Sequence, residues 1–333
     1  MTSPSVSDAV RAGRDQMDPA WTRDFQAILD AYRQAGGRPD VLQGSRWASA
    51  VISAHDVLAV NEVPGVTIDA EGDDSGVRAR ITVAPGTRVE HPVHLCFGMT
   101  AEEGLQEIRS EFEIGEGAEV GFLAHCTFPN AIDLKHVMDA HIHVGRDATM
   151  RYSEAHYHGS EGGIVVVPTT YAQVDEGGAL EAEFSLTHGR VGELAIKVEA
   201  DVAAGGVVEL VSKAYGSADD DIHVEETLRL NGAGARGVTK TRMAVTDQAR
   251  SEVTTTAEGN APGAVGHMDC TEIVRGRAEA RNVPIVVVRD DRARVTHEAA
   301  IGSVDKKELE TLMARGLSEE QAVDVIIRGM LRA

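Results

Sequence analysis

The stretch Gly177-Gly178-Ala179-Leu180-Glu181-Ala182-Glu183-Phe184-Ser185-Leu186 decides the reading of the fold. A double-glycine turn leads into a small-then-apolar step, and the residues after it alternate in polarity, the period of a strand with one wet and one dry face. The same unit recurs on either side. Turn signals stand at Pro85-Gly86, Glu116-Gly117-Ala118, Arg146-Asp147-Ala148, Gly205-Gly206 and Gly234-Ala235, at intervals of 28 to 31 residues. Similar steps follow them at Ala118-Glu119-Val120, Ala148-Thr149-Met150 and Gly206-Val207-Val208. A unit of this length, holding two or three short strands, cannot bury its own apolar face and must stack on its neighbours. Two architectures meet that requirement, a parallel β-helix and an antiparallel sandwich of hairpins. Strands rich in Val, Ile and Ala with glycine at the corners favour the β-helix.

Composition agrees with a stacked core. Of 333 residues 42% are hydrophobic but only 4% aromatic, while glycine reaches 34, so the interior must be filled by aliphatic side chains between frequent turns. The formal net charge of -21 argues against nucleic acid as a partner. The longest apolar runs, Ile164-Val165-Val166-Val167 and Ile285-Val286-Val287-Val288, are too short to span a bilayer, and Met1-Thr2-Ser3-Pro4 lacks a signal pattern. A soluble, cytoplasmic protein with no membrane partner is expected. Three widely spaced cysteines, Cys96, Cys126 and Cys270, do not form a disulfide framework and leave thiols for chemistry.

Both ends read as helical. Trp21, Phe25, Ile28, Leu29 and Tyr32 recur at three- and four-residue spacing before Gly36-Gly37-Arg38-Pro39, and strand texture sets in near Val60. Near the C-terminus Asp305-Lys306-Lys307-Glu308 has the form of a capping box, Leu309, Leu312 and Met313 follow, and Gly316 supplies the stop. Ser318-Glu319-Glu320-Gln321 opens a second helix carrying Ala322, Val325, Ile326 and Met330. Five acidic residues on this pair would repel a phosphate backbone, so protein docking is the better reading than a DNA-binding helix-turn-helix. The expected organisation is a helical segment at 1–59, a β-core at 60–302 and a helical docking segment at 303–333.

Chemistry is concentrated in histidines and one thiol. His125, His136, His141, His143, His156 and His158 fall within 34 positions, and on strands His141/His143 and His156/His158 each place two imidazoles on one face, a half-site for a transition metal. His156-x-His158-x-x-Glu161 is similar to the metal-binding edge of a cupin barrel, without the matching downstream histidine. Cys270 precedes His297-Glu298 by 27 residues, nearly one repeat, so stacked rungs could bring thiolate, imidazole and carboxylate together as an iron or zinc ligand set. Cys96 has no motif around it and reads as core. Walker, Cys-x-x-Cys, Gly-x-Ser-x-Gly and His-Glu-x-x-His motifs are missing, which disfavours autonomous phosphoryl transfer or hydrolysis; no enzyme activity is expected.

In the C-terminal third the residues themselves resemble a known family. The stretch Gly266-His267-Met268-Asp269-Cys270-x-x-Ile273-Val274-x-Gly276, then Pro284, then Val295-Thr296-His297-Glu298-Ala299-Ala300-Ile301-Gly302-Ser303-Val304-Asp305, then Leu309-x-x-Leu312-Met313-x-Arg315-Gly316-Leu317-Ser318-Glu319, closely resembles the SufB/SufD family of iron–sulfur cluster assembly scaffolds. The likeness extends upstream through His125-Cys126-Thr127-Phe128-Pro129 and covers roughly residues 60 to 331.

That resemblance implies a mainly β fold, a right-handed parallel β-helix flanked by N- and C-terminal helical segments. It implies a SufC-type ABC ATPase as partner, docked through the C-terminal helices at Leu309, Leu312, Met313, Arg315, Gly316 and Leu317. It further implies pairing through the β-helices, with a transient iron–sulfur cluster forming at the seam, where Cys270, His297 and Glu298 fall on the cluster-site positions. Cys126 resembles the sulfur acceptor supplied by a cysteine desulfurase relay. The chain is similar to compact members that serve both roles, implying a homodimer, or pairing with a paralogous SufB/SufD subunit, and no flavin. Two rival readings stand beside this one: a cupin-like metal-dependent barrel enzyme using His141, His143, His156 and His158, and a purely structural partner of the ATPase.

Overall fold

The computed structural model describes residues 19–43 and 46–332. Trp21 lies in the first helix, but its side chain is outside the described set. The first half of the strands comprises β1 (Ser49–Ser53), β2 (Asp56–Asn61), β3 (Val66–Asp73), β4 (Gly76–Val83), β5 (Val93–Gly98), β6 (Glu103–Ile114), β7 (Glu119–Phe128), β8 (Asp133–Val144) and β9 (Thr149–His158). They continue as β10 (Ile164–Val174), β11 (Ala179–His188), β12 (Glu193–Val202), β13 (Val207–Gly216), β14 (Asp221–Leu230), β15 (Arg236–Val245), β16 (Arg250–Gly259), β17 (Val265–Val274), β18 (Glu279–Val288) and β19 (Arg294–Gly302).

From β4 onward the chain crosses between two sheets at every turn. Odd strands stack in the order β19-β17-β15-β13-β11-β9-β7-β5, and even strands as β18-β16-β14-β12-β10-β8-β6-β4. Every one of these neighbours is parallel and nearly every register is unbroken. The result is the expected β-solenoid, with about eight turns. Parallel in-register stacking puts residues one repeat apart side by side, so each inward position forms a lane running the length of the solenoid. Alternation sets which residues turn inward. Along β13, for example, Val208, Leu210, Ser212 and Ala214 are buried while the residues between them are not.

Corners explain the glycines. Gly177 adopts φ 69°, a left-handed conformation, and its N–H donates to the Ala204 carbonyl of the next corner. One turn earlier Asp147 holds the same place at φ 53°, a position that tolerates Asp because its short polar side chain is among those that visit this region.

Strand structure starts at Ser49, upstream of the Val60 texture change. β1 and β2 form an antiparallel hairpin that extends the odd sheet, and β3 and β4 form another that ends the even sheet. Alternation is hard to see in β1 because all of Ser49, Ala50, Val51 and Ile52 are buried, one face by the solenoid and the other by helices. Those helices are α1 (Pro19–Gln34) and α2 (Pro39–Gln43); Ile28, Leu29, Tyr32, Val41 and Leu42 close over Val51, Leu58 and Cys96. Cys96 is thus a core residue, as expected.

At the other end, α3 (Lys306–Met313) and α4 (Glu319–Arg332) fold back on the solenoid. Asp305 caps α3 by accepting from the Glu308 N–H at 2.8 Å, and Ser318 and Gln321 cap α4 reciprocally. Val323, Ile327 and Leu331 of α4 pack on Ala244 and Ile273.

Candidate functional site

The two thiols singled out by the sequence both point into the solenoid, on the same sheet. Cys126 lies on β7 and Cys270 on β17, five strand spacings apart, or about 24 Å at about 4.8 Å per step.

Cys270 occupies the lane Glu154, Phe184, Ser212, Thr241, Cys270, Ala299, and is 3% exposed. Its thiol donates to Glu272 Oε1 at 3.8 Å, a carboxylate two residues on along the same face. Glu272 also accepts from Ser251 Oγ at 2.7 Å and from Asn282 Nδ2 at 3.4 Å. A second buried carboxylate, Glu226 of β14, accepts from Ser212 Oγ at 2.6 Å and Thr241 Oγ1 at 3.2 Å. Burial pushes the Cys270 thiol up, and the negative charges of Glu272 and Glu226 add to it, against a smaller opposing pull from Arg242. Glu226 is pushed up to about 7 by burial, only partly offset by its two hydroxyl donors, and burial raises Glu272 as well.

His297 pairs in register with Met268 and therefore shares the inward face with Cys270, two positions away. Glu298 pairs with Asp269 and projects from the outer face, where its Oε2 lies 4.0 Å from His267 Nε2. Within one chain the repeat thus brings thiol and imidazole to one side and sends that carboxylate to the other. Glu272 is the carboxylate beside Cys270. The sequence signal for it was Cys270-x-Glu272, a two-residue spacing that puts both on one strand face.

Cys126 is fully buried, with Met138 Sδ at 3.9 Å and Glu154 Oε1 at 4.0 Å. Burial pushes this thiol well above its usual range, and the nearby Glu154 reinforces the shift. One donor atom each of Cys126, His136 of β8 and His156 of β9 lies within 4.8 Å of the other two, and His158, in register with Phe128, reaches His156 at 3.2 Å. Between the two thiols a cavity of about 50 Å³ lies among Tyr152, Glu154, Phe184, Ser212 and Glu226. At roughly 10–15 Å³ per water it has room for about three to five.

The last turn of the solenoid is open. Ordinarily inward positions on β18 and β19 have no further rung above them among the described residues, so Val286 (41%), Val288 (48%) and Ile301 (48%) are exposed, as are His297 and Ala299. Cys270 sits one strand beneath this edge, with only the small Ala299 stacked on it. On the helical segment Leu309, Leu312 and Leu317 are half-buried, while Met313, Arg315 and Gly316 are exposed.

The cupin-like reading is corrected by the topology. His141 and His143 lie on the outer face of the even sheet, His143 bonded at 3.0 Å to both Glu113 and Asp175, whereas His156 and His158 face the interior from the odd sheet. The four imidazoles do not converge, and the sheets are parallel rather than barrel-forming.

Comparison with known proteins agrees with this fold and these motifs. The family described as SUF system FeS cluster assembly, SufBD core domain, matches residues 97–330. An iron–sulfur cluster assembly SufBD family protein of Methanocaldococcus jannaschii is 38% identical over 308 residues, 92% of this chain and 98% of the relative. Another from Pyrococcus horikoshii is 36% identical over 309 residues, 93% of this chain and 94% of the relative. A bacterial relative from Staphylococcus epidermidis is 24% identical over 274 residues, 75% of this chain but 54% of the relative. A polar interior with two buried thiols, a solenoid left open at one end and a match across most of the chain lead to one conclusion: the chain belongs to the SufBD family of iron–sulfur cluster assembly proteins.

Proposed function

We propose that this protein is a non-enzymatic scaffold on which sulfur and iron are joined into a transient iron–sulfur cluster at the seam between two copies. The observation that carries the reading is the position of Cys270, buried one strand below an open apolar edge and beside Glu272. Cys126 accepts sulfane sulfur as a persulfide from a cysteine desulfurase relay, the donor cysteine leaving as its thiolate, and an external reductant of the thiol class supplies the two electrons that release this sulfur as sulfide. The separation from Cys270 is too long for one exchange step, so sulfur moves through the interior, past the cavity at Glu154, Ser212 and Glu226. Iron is held by Cys270 with His297 on the same face, and Glu272 supplies the nearby carboxylate; Glu298 serves only from the outer side of the seam. A ligand set poor in thiolates leaves the cluster labile, as transfer to an acceptor requires.

Two further parts of the reading rest on surfaces. The edge of β18 and β19, apolar and unpaired, is the face for the second copy. The helical segment at 303–333 is the docking site for a SufC-type ABC ATPase, through Leu309, Leu312, Met313, Arg315, Gly316 and Leu317, with Met313 the most exposed large apolar side chain among them at 42%. ATP-driven closure of that partner would reach the seam because α4 packs on Ile273, three residues after Cys270.

Anaerobic reconstitution with iron and sulfide tests the proposal. Cys270→Ser should abolish the visible-absorbing cluster, and Cys126→Ser should spare assembly from free sulfide while abolishing assembly from a desulfurase. Undiminished cluster in Cys270→Ser would favour the purely structural role.

A further inference from the structure

The interior around Cys126 holds more donor groups than sulfur acceptance needs. His136 is completely buried, and neither of its ring nitrogens has a hydrogen-bond partner among the described residues. Nearly every buried polar group in a native protein finds one. The hydrogen bonds of the other two histidines turn a nitrogen of each ring toward the other. His158 Nδ1 lies 3.2 Å from the Arg190 carbonyl oxygen and donates to it, so Nε2 of the neutral ring is unprotonated. His156 Nε2 lies 2.7 Å from Glu154 Oε1 and donates to it, which leaves Nδ1 as the ring nitrogen turned to His158. These two nitrogens stand 3.2 Å apart. Two lone pairs at that distance repel unless a cation lies between them. A proton on His156 would satisfy this pair alone and leave His136 and Cys126 as they are.

We propose that Cys126, His136 and His156, whose donor atoms lie within 4.8 Å of one another, bind one divalent transition-metal ion of the zinc or iron(II) class inside the solenoid, with His158, outside that group but in contact with His156, drawn in as the fourth ligand. Metal–nitrogen bonds of about 2.0–2.1 Å at tetrahedral angles put neighbouring ligand nitrogens about 3.3 Å apart, close to the His156–His158 separation. One sulfur and three imidazole nitrogens form a borderline-soft donor set that selects such ions over calcium or magnesium. Glu154 completes the arrangement from behind. It orients His156 and accepts from Tyr152 Oη at 2.7 Å, the carboxylate–histidine–metal relation common to bound ions. Charges balance as well: the Cys126 thiolate and the Glu154 carboxylate offset the two positive charges of the ion, so no net charge is buried.

The site goes beyond the scaffold reading and shares only Cys126 with it, a thiolate held by an ion and a thiol carrying sulfur being alternative states of one residue. It is tested on the chain carrying Cys270→Ser, which removes the thiol proposed to hold the cluster. Because the donors are buried, that protein is produced in cobalt-supplemented medium and isolated without oxygen. About one cobalt per chain is expected, with thiolate-to-cobalt charge-transfer absorption and the intense visible bands of tetrahedral cobalt(II); His136→Gln should lose at least about tenfold of the bound metal. Folded Cys270→Ser protein that lacks cobalt, or holds it without the charge-transfer band, overturns the site. Full retention in His136→Gln does so too. The first two outcomes are read with all four ligands intact, so they decide the matter even where a histidine variant does not fold. Cluster assembly is measured on the chain with Cys270 present, which keeps failure of one proposal separate from failure of the other.

Discussion

Replacing Glu226 by Gln should stabilise the protein increasingly as pH rises. Glu226 is buried between the sheets, and its carboxyl is pushed from 4.5 up to about 7, by burial against the opposing hydrogen bonds of Ser212 and Thr241. A carboxyl with a raised folded pKa contributes its full stability below the unfolded value and loses it as pH climbs through the folded one. The shift of about 2.5 units corresponds to about 3 kcal/mol in total, of which roughly 2 kcal/mol falls between about pH 5.5 and pH 8. That window also avoids the isoelectric point near 5.0, where solubility is poorest. Glutamine keeps the shape of the protonated acid, can still accept from Ser212, and cannot ionise. Urea unfolding of metal-free protein and Glu226→Gln, side by side across this range, reads the difference directly. The gap between them should widen in favour of the variant by roughly 2 kcal/mol from the acid to the alkaline end. A gap that stays constant with pH would refute the argument that ionisation of this buried group opposes folding.

Further outcomes follow from the same geometry. In anaerobic reconstitution Glu272→Gln should weaken cluster retention more than Glu298→Gln, since only the former carboxylate shares a face with Cys270; equal or reversed effects would return Glu298 to the ligand set. Desolvation works to lower His143, but hydrogen bonds to Glu113 and Asp175 outweigh it, so its imidazole resonances should titrate above 6.5, and a midpoint at or below that value would show the outer carboxylates to be ineffective. The protonated ring is the form held by the fold, so its small contribution is present below 6.5 and disappears as pH rises past the raised value. Val286→Asp, placed on the exposed edge, should weaken self-association at least about tenfold in sedimentation velocity while leaving the far-ultraviolet spectrum unchanged; an unaffected dimer would move the interface elsewhere.

The solenoid was legible because its physics is local and repeated. Gly177-Gly178-Ala179 and the alternation after it state the corner and the strand, and each recurrence restates them. The hairpin at β1 and β2 was not legible, because burial on both faces erases the alternation that marks a strand. The family resemblance singled out Cys126 and spacing singled out Cys270, yet a 27-residue interval could not say which face a side chain takes. A single-residue offset separates His297, in register with Met268, from Glu298, in register with Asp269. Glu226 was invisible for another reason: it joins the Cys270 lane from the opposite sheet, and its role depends on two hydroxyls from neighbouring strands of the other wall. His136 is similar, being brought to Cys126 across the interior rather than along a strand.

The two ends of the solenoid are chemically unlike, and that difference bears on how many chains the proposed pairing would join. At the first turn the terminal strands are hairpin arms, and β3 presents Asp69, Glu71 and Asp73 on its outer face. Acidic side chains on such a strand repel a second copy and discourage pairing. On the last turn the outward positions of β18 and β19 mix Arg281, Arg294 and Glu298 with apolar side chains, and no comparable run of acids stands there among the described residues. On the proposed pairing each chain would have a valency of one: two open ends would meet about a two-fold axis, and the joined pair would present only its hairpin-capped ends. A stacking fold that in principle could grow into a filament would then terminate itself at two units, and any solvent-shielded chamber at the junction would be built once per pair.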